Sequence, residues 1–228
     1  MKKLIFVLVL TWGTCALANN TSDLESSLHE LVPDGYVVTK EIHGDLNKDN
    51  QDDVVLLIKQ TDPNNIVTDE YRGELDHNPR GIVVALRNQQ QYEVVVANTS
   101  CFHPEDADGG VYFAPDISIS IKNGNLYIYY GHGRYGYWRY NFRYQNSDFE
   151  LIGFDSSANR GPIVEEVVSI NFLTKMKLVK KNISELADTE EEVFEESWAG
   201  FVLENRFKLS EISELGGRFA YSLREITD

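Results

Sequence analysis

The chain has 228 residues, with 36 acidic against 21 basic side chains and a formal net charge of −15. A surface of that sign repels nucleic acid and anionic lipid and suits cations, so DNA, RNA and peripheral membrane binding are disfavoured roles. The length serves one large domain or two small ones.

The first residues, MKKLIFVLVLTWGTCALANN, read as an export signal. Lys2 and Lys3 form a basic start, and Leu4 to Leu10 an apolar run too short to span a bilayer. Ala16-Leu17-Ala18 supplies the small-x-small cleavage pattern, which predicts a signal peptide over 1–18, a mature start at Asn19 and a periplasmic or secreted protein. Cys15 offers a lipoprotein alternative, but Trp-Gly-Thr before it is bulkier and more polar than such a box usually is. Cleavage leaves Cys101 as the single cysteine, so no internal disulfide is expected. The fold must then rest on its core, helped by any metal the chain holds.

Over residues 19–35, DLESSLHEL (Asp23 to Leu31) places Leu24, Leu28 and Leu31 on one face of a short amphipathic helix, ended by Pro33 and Gly35. Period two dominates afterwards. Tyr36 to Ile42 alternates as a strand, and Val54 to Ile58 (VVLLI) is apolar on both faces, as suits the middle of a sheet. Thr61 to Arg80 is polar, with Pro63, Gly73 and Asn78-Pro79, and is expected to be a long loop. Gly81 to Arg87 and Tyr92 to Ala97 make a hairpin across Asn88-Gln89-Gln90. These four strands form one antiparallel meander of about the size of a propeller blade.

A second series follows the Gly- and Asp-rich stretch Pro104 to Gly110. Ile117, Ile119 and Ile121 alternate with polar residues, Asn123-Gly124 signals a type I′ turn, and Leu126 to Tyr130 returns. Tyr135 to Tyr144 pairs with Phe149 to Phe154 about Asn146-Ser147, and two more strands are expected at Val164 to Leu173 and Met176 to Lys180. Beyond Ser184, Glu190 to Glu196 suits helix or strand equally, and Arg206 to Leu209 and Phe219 to Leu223 alternate weakly. The expected fold class is mainly β, with antiparallel meanders resembling propeller blades or a sandwich and a short N-terminal helix. Residues 36–181 form the β-domain, and 182–228 an acidic extension packing on it.

The densest polar chemistry lies in GDLNKDNQDDVV, Gly44 to Val55. Counted from Asp45, oxygen donors recur at alternate positions: Asp45, Asn47, Asp49, the Gln51 carbonyl and Asp53. That ladder suits calcium, a hard cation wanting six to eight oxygens. The twelfth position is Leu56, not Glu, which sets aside an EF-hand. The loop and the strand after it resemble the calcium loops of FG-GAP or integrin-type blades, with Asn50 where Gly is usual; Asn tolerates the left-handed backbone that place needs. The resemblance implies a weakly bound structural calcium. The other reading is an Asx-rich turn facing water. Glu105, Asp106 and Asp108 form a second acidic stretch without regular spacing, read as a plain turn.

In GHGRYGYWRYNFRY the even residues Trp138, Tyr140, Phe142 and Tyr144 share one face, read as core. The odd face carries Tyr135, Tyr137, Arg139, Asn141 and Arg143. Of these, Tyr135, Tyr137, Arg139 and Arg143 are the candidate ligand surface, able to stack on sugars or grip a carboxylate. The plainer reading is a solvated face whose arginines offset nearby acids. Cys101 and His103, two apart on a strand, bring thiol and base together, but no orienting third residue is evident.

ISIKNGNLYIYY, GHGRYGYWRYNFRYQNSDFELIGF and VSINFLTKMKL together resemble a group of exported bacterial β-proteins carrying one calcium-type loop upstream. The resemblance spans about residues 36–180 and implies fold and export without a reaction. The expected function is therefore a monomeric, exported, non-catalytic binding or scaffold protein with structural calcium and a protein or glycan ligand, not inserted in a membrane once its signal is removed. The alternatives are an envelope hydrolase using Cys101 or Asp106, and an acidic inhibitor or immunity-type partner of a basic protein.

Overall fold

The computed structural model describes residues 28, 30–106, 115–184 and 192–226. The expected signal, its cleavage site, Cys15 and most of the Asp23 to Leu31 helix lie outside the described residues, as does Asp108. Strands make up 58% of the described residues, all in antiparallel sheets, so the protein is mainly β as expected.

The first sheet has the order β1 (Tyr36–Gly44), β2 (Asp53–Gln60), β5 (Arg80–Asn88), β6 (Gln91–Phe102). It is the expected four-stranded meander. The run Val54 to Ile58 lies in its middle and is buried on both faces. Val55 and Leu57 enter the main core, whereas Val54, Leu56 and Ile58 pack with Val83 and Ala85 under Leu28, Leu31 and Tyr36. Two cores, one on each side, explain why this strand lacks polar alternation.

The second sheet is a seven-stranded up-and-down meander. It comprises β7 (Asp116–Lys122), β8 (Asn125–Gly131), β9 (Gly136–Gln145), β10 (Asp148–Arg160), β11 (Ile163–Asn171), β12 (Met176–Asn182) and β13 (Phe194–Gly200), in spatial sequence. Its inner face carries Ile128, Tyr140, Phe142, Phe154 and Ile170 into the same core as Ile82, Val84 and Phe102 of the first sheet. The sheets thus share one interior in the manner of a sandwich, and no closed barrel forms among the described residues. Each fully buried side chain of this size stabilises the fold by roughly 1.5–3 kcal/mol.

Turn chemistry follows the sequence. Asn123 and Gly124 both take positive φ, 53° and 71°, as a type I′ turn requires. Asn146 and Ser147 do the same at 53° and 60°. Elsewhere the structure departs from expectation. The polar stretch Thr61 to Arg80 holds a 3-10 turn (Pro63–Asn65) and a hairpin, β3 (Ile66–Asp69) with β4 (Gly73–Asp76). Leu75 is its one buried apolar residue, and polar groups fix its turn: the Asp69 carboxylate accepts from Tyr71 N and Arg72 N, both at 2.8 Å. Strand β10 runs well past Phe154, and bulges at Leu151/Gly153 and Ala158/Asn159 interrupt the period of two that would have revealed it.

The tail beyond 182 is more deeply involved than an extension laid on the surface. Strand β13 completes the seven-stranded sheet, and Phe201, Leu209, Ile212, Leu215, Ala220 and Leu223 are buried in the shared core. Phe219 to Leu223 is not a strand but part of the C-terminal helix, Gly217–Arg224, whose Ala220 and Leu223 are buried. Their spacing of three is a helical period, and the intervening exposed Tyr221 mimics alternation.

Candidate functional site

Gly44 to Val55 closes as a tight loop on its own donors. The Asp45 carboxylate accepts from Lys48 N (2.5 Å), Asp49 N (3.2 Å) and Asn50 N (2.9 Å). Lys48 and Asn50 take left-handed φ of 68° and 65°, so Asn50 fills the place expected of it. Asp49 accepts from Gln51 N at 2.8 Å and from the Asn47 side-chain amide at 3.0 Å. Those bonds, the Gln51 amide foremost, hold its carboxyl below the usual range.

Asp53 differs. It is fully buried, and its two oxygens accept from Leu46 N (2.7 Å) and Arg87 N (2.8 Å). Burial raises its pKa, against the lowering effect of those same amides. Leu46, 2% exposed, enters the main core, so the loop is anchored from beneath by one apolar and one charged side chain. On the outside Lys48 lies against Gly124 of the β7–β8 turn, so the loop bridges the two sheets.

An ion on this loop would be held first by Asp45 and Asp49, with the oxygens of Asn47 and Gln51 beside them. The carboxylate oxygens of all three aspartates already accept hydrogen bonds within the protein, so an ion would share them, and Asp53 lies buried beneath the loop. Among the described residues no three His, Cys, Asp or Glu side chains gather as a metal group, so such a site would lean on amide and backbone oxygens. The residues fit a weak calcium site of that kind.

The candidate ligand face is largely satisfied within itself. Tyr137 stacks on Tyr129 at 5.4 Å, and Arg139 pairs with Asp155 at 2.9 Å, which in turn accepts from Ser169 Oγ. Arg143 donates to Asn125 at 3.4 Å. These three line the outer face of β9, as alternation predicted. Tyr135 sits apart, in a 3-10 turn (Gly133–Tyr135), where its hydroxyl accepts from Arg134 at 3.0 Å. On the opposite face Tyr140 and Phe142 are wholly buried and Tyr144 packs against the core, as read; Trp138 stays half-exposed.

Cys101 is fully buried, and burial pushes its thiol pKa far above the ordinary range, which opposes a nucleophilic role. His103 instead pairs with Glu214, at 2.9 Å, on the segment leading to the C-terminal helix. Asp106 accepts from Asp76 N at 2.8 Å and so fastens the β3–β4 hairpin, while Glu105 pairs at 3.0 Å with Lys59 of β2, which also pairs with Asp76.

Sequence reasoning did not find a cavity of about 360 Å³ between the C-terminal helix and the β9–β10 end of the second sheet. His132, Trp138, Tyr135 and Tyr221 bring rings to it. Its walls come from positions far apart in the chain, and Trp138 on the core face of β9 was its one local signal.

No family model matches the chain, and neither a curated protein nor a solved structure shows significant similarity to it. No helix among the described residues is long and apolar enough to cross a membrane.

Proposed function

We propose that this chain is an exported, non-catalytic binding or scaffold protein, braced by one structural calcium ion on the Asp45, Asn47, Asp49, Gln51, Asp53 loop. The observation that carries the metal reading is the left-handed backbone at Asn50, which with the bonds to Asp45 preshapes a turn around exposed carboxylates. Calcium would neutralise repulsion between Asp45 and Asp49 and stiffen the approach to β2. The signal-like first residues support export, and the inert burial of Cys101 supports a role without thiol chemistry.

Thermal melting of the mature protein in chelator and in millimolar calcium tests the metal. We expect a higher Tm with calcium, and no such gain in Asp49→Ala. Equal melting of the parent in both conditions overturns the reading. N-terminal sequencing of the protein from the cell envelope tests export, with Asn19 as the expected first residue.

A second reading, an acidic partner of a basic protein, is favoured by one feature. The outer edge of β13 pairs with no described strand, and β13 carries Glu195 beside a Glu196 that pairs with Lys180 of β12. Salt-sensitive co-purification of a basic envelope protein would support it.

A further inference from the structure

We propose that the cavity between the C-terminal helix and the end of β9 and β10 binds a neutral sugar ring, seated against Trp138 and Tyr221 with a hydroxyl on His132 Nε2.

Its walls define the ligand by elimination. No acidic side chain lines the cavity, so a cation gains nothing there despite the chain's net charge of −15. Arg224 is its one guanidinium, and Glu166 already neutralises it, so an anion has no free counter-charge. Rings dominate what is left. The His132 ring meets Trp138 edge-on at 4.2 Å, and Tyr221 meets Trp138 at 6.0 Å and 73°. Aromatic faces are negative, and the ring C–H groups of a pyranose are weakly positive, so the two attract while burying apolar area.

A purely apolar occupant is opposed by one unmet polar atom on a residue of the cavity wall. His132 Nε2 is buried without a hydrogen-bond partner among the described residues. A neutral imidazole nitrogen is satisfied by a hydroxyl in either tautomer, because a hydroxyl both donates and accepts. Burial and the neighbouring His103 keep His132 in that neutral form. The volume also lies in the range of small-molecule sites.

The proposal names the ligand class of the binding reading above and rests on it. The test titrates the mature protein with methyl β-D-glucopyranoside, with glucuronate as the anionic arm and phenol as the flat apolar arm, following the Trp138 indole N–H by NMR. We expect a saturable shift with the glucopyranoside. His132→Leu and Tyr221→Ala should each weaken it about fivefold or more, the loss of roughly one hydrogen bond or ring contact. Tyr221 is 57% exposed, so its truncation leaves the fold intact, checked by an unchanged melt. No saturable shift, tighter binding of glucuronate or phenol, or full binding in both variants overturns the proposal. Calcium-dependent melting is a separate measurement, so a silent cavity in a calcium-stabilised protein overturns the ligand assignment alone.

Discussion

Two aspartates four residues apart, Asp49 and Asp53, carry the same charge and do different things. Asp49 lies at the exposed rim of its loop, whereas Asp53 is buried beneath it and joins the loop to the β5–β6 hairpin through Leu46 N and Arg87 N. Asp53→Ala is expected to cost about 2–4 kcal/mol by leaving two interior amides unpaired, read from urea denaturation, while Asp49→Ala in chelator costs little. Leu46→Ala, emptying a core position from within a polar loop, is expected to cost about 2–5 kcal/mol. Trp198 makes the opposite case: it is large but 62% exposed on an edge strand, so Trp198→Ala should change stability by under about 0.5 kcal/mol. Hydrophobic character alone does not separate Leu46 from Trp198; burial does. Cys101 should be silent to a thiol reagent in the native protein and react fully in denaturant.

At the scale of elements, the return of the C-terminal segment across β10 is the feature local pattern missed. Leu151 N donates to Phe207 O and Leu209 N to Phe149 O, both at 2.9 Å. Between them Glu150, 3% exposed, accepts from Asn146, Gln145 and Arg206. Burial would raise the pKa of Glu150, but those three donors lower it further than burial lifts it. Its folded pKa therefore lies below its unfolded one, and the stability it adds is present above about pH 4.5 and lost as pH falls through the folded value. Asp76 behaves alike, with amide bonds to Asn78 and an ion pair to Lys59 outweighing burial. Asp53 runs the other way: its raised pKa favours the protonated form, a contribution that fades as pH rises through its titration. Melting followed from pH 6 to pH 3 should show falling Tm, and Glu150→Gln should start lower and fall less.

At the scale of the whole molecule, the two sheets and the C-terminal segment share a core, so residues 36–226 should unfold as one cooperative unit. Truncation after Gly216 removes Ala220 and Leu223 from that core, along with the Arg224 and Ile226 carbonyls that accept from buried Lys177. The expected result is loss of the single sharp melting transition, checked by calorimetry. An intact transition would mean that the helix is an accessory to the fold.

Local chemistry was enough to read most of the strands. Alternation located the paired faces, the Asn-Gly turn showed where β7 returns as β8, and the unbroken apolar run at Val54 to Ile58 marked the central strand. The same kind of reading gave the oxygen ladder of Gly44 to Val55 and the left-handed place of Asn50, because spacing and backbone preference are properties of adjacent residues. Class, turns and charge are thus properties that neighbouring residues carry on their own. Tertiary structure alone decided that Asp53 faces inward, that the outer arginines of β9 meet acids and amides of other strands, and that the tail closes the core. It also gathered His132, Trp138 and Tyr221 about one cavity. Those outcomes depend on contacts between residues up to more than a hundred positions apart, such as Asn98 with Ile212 at 2.7 Å, and no local period records them.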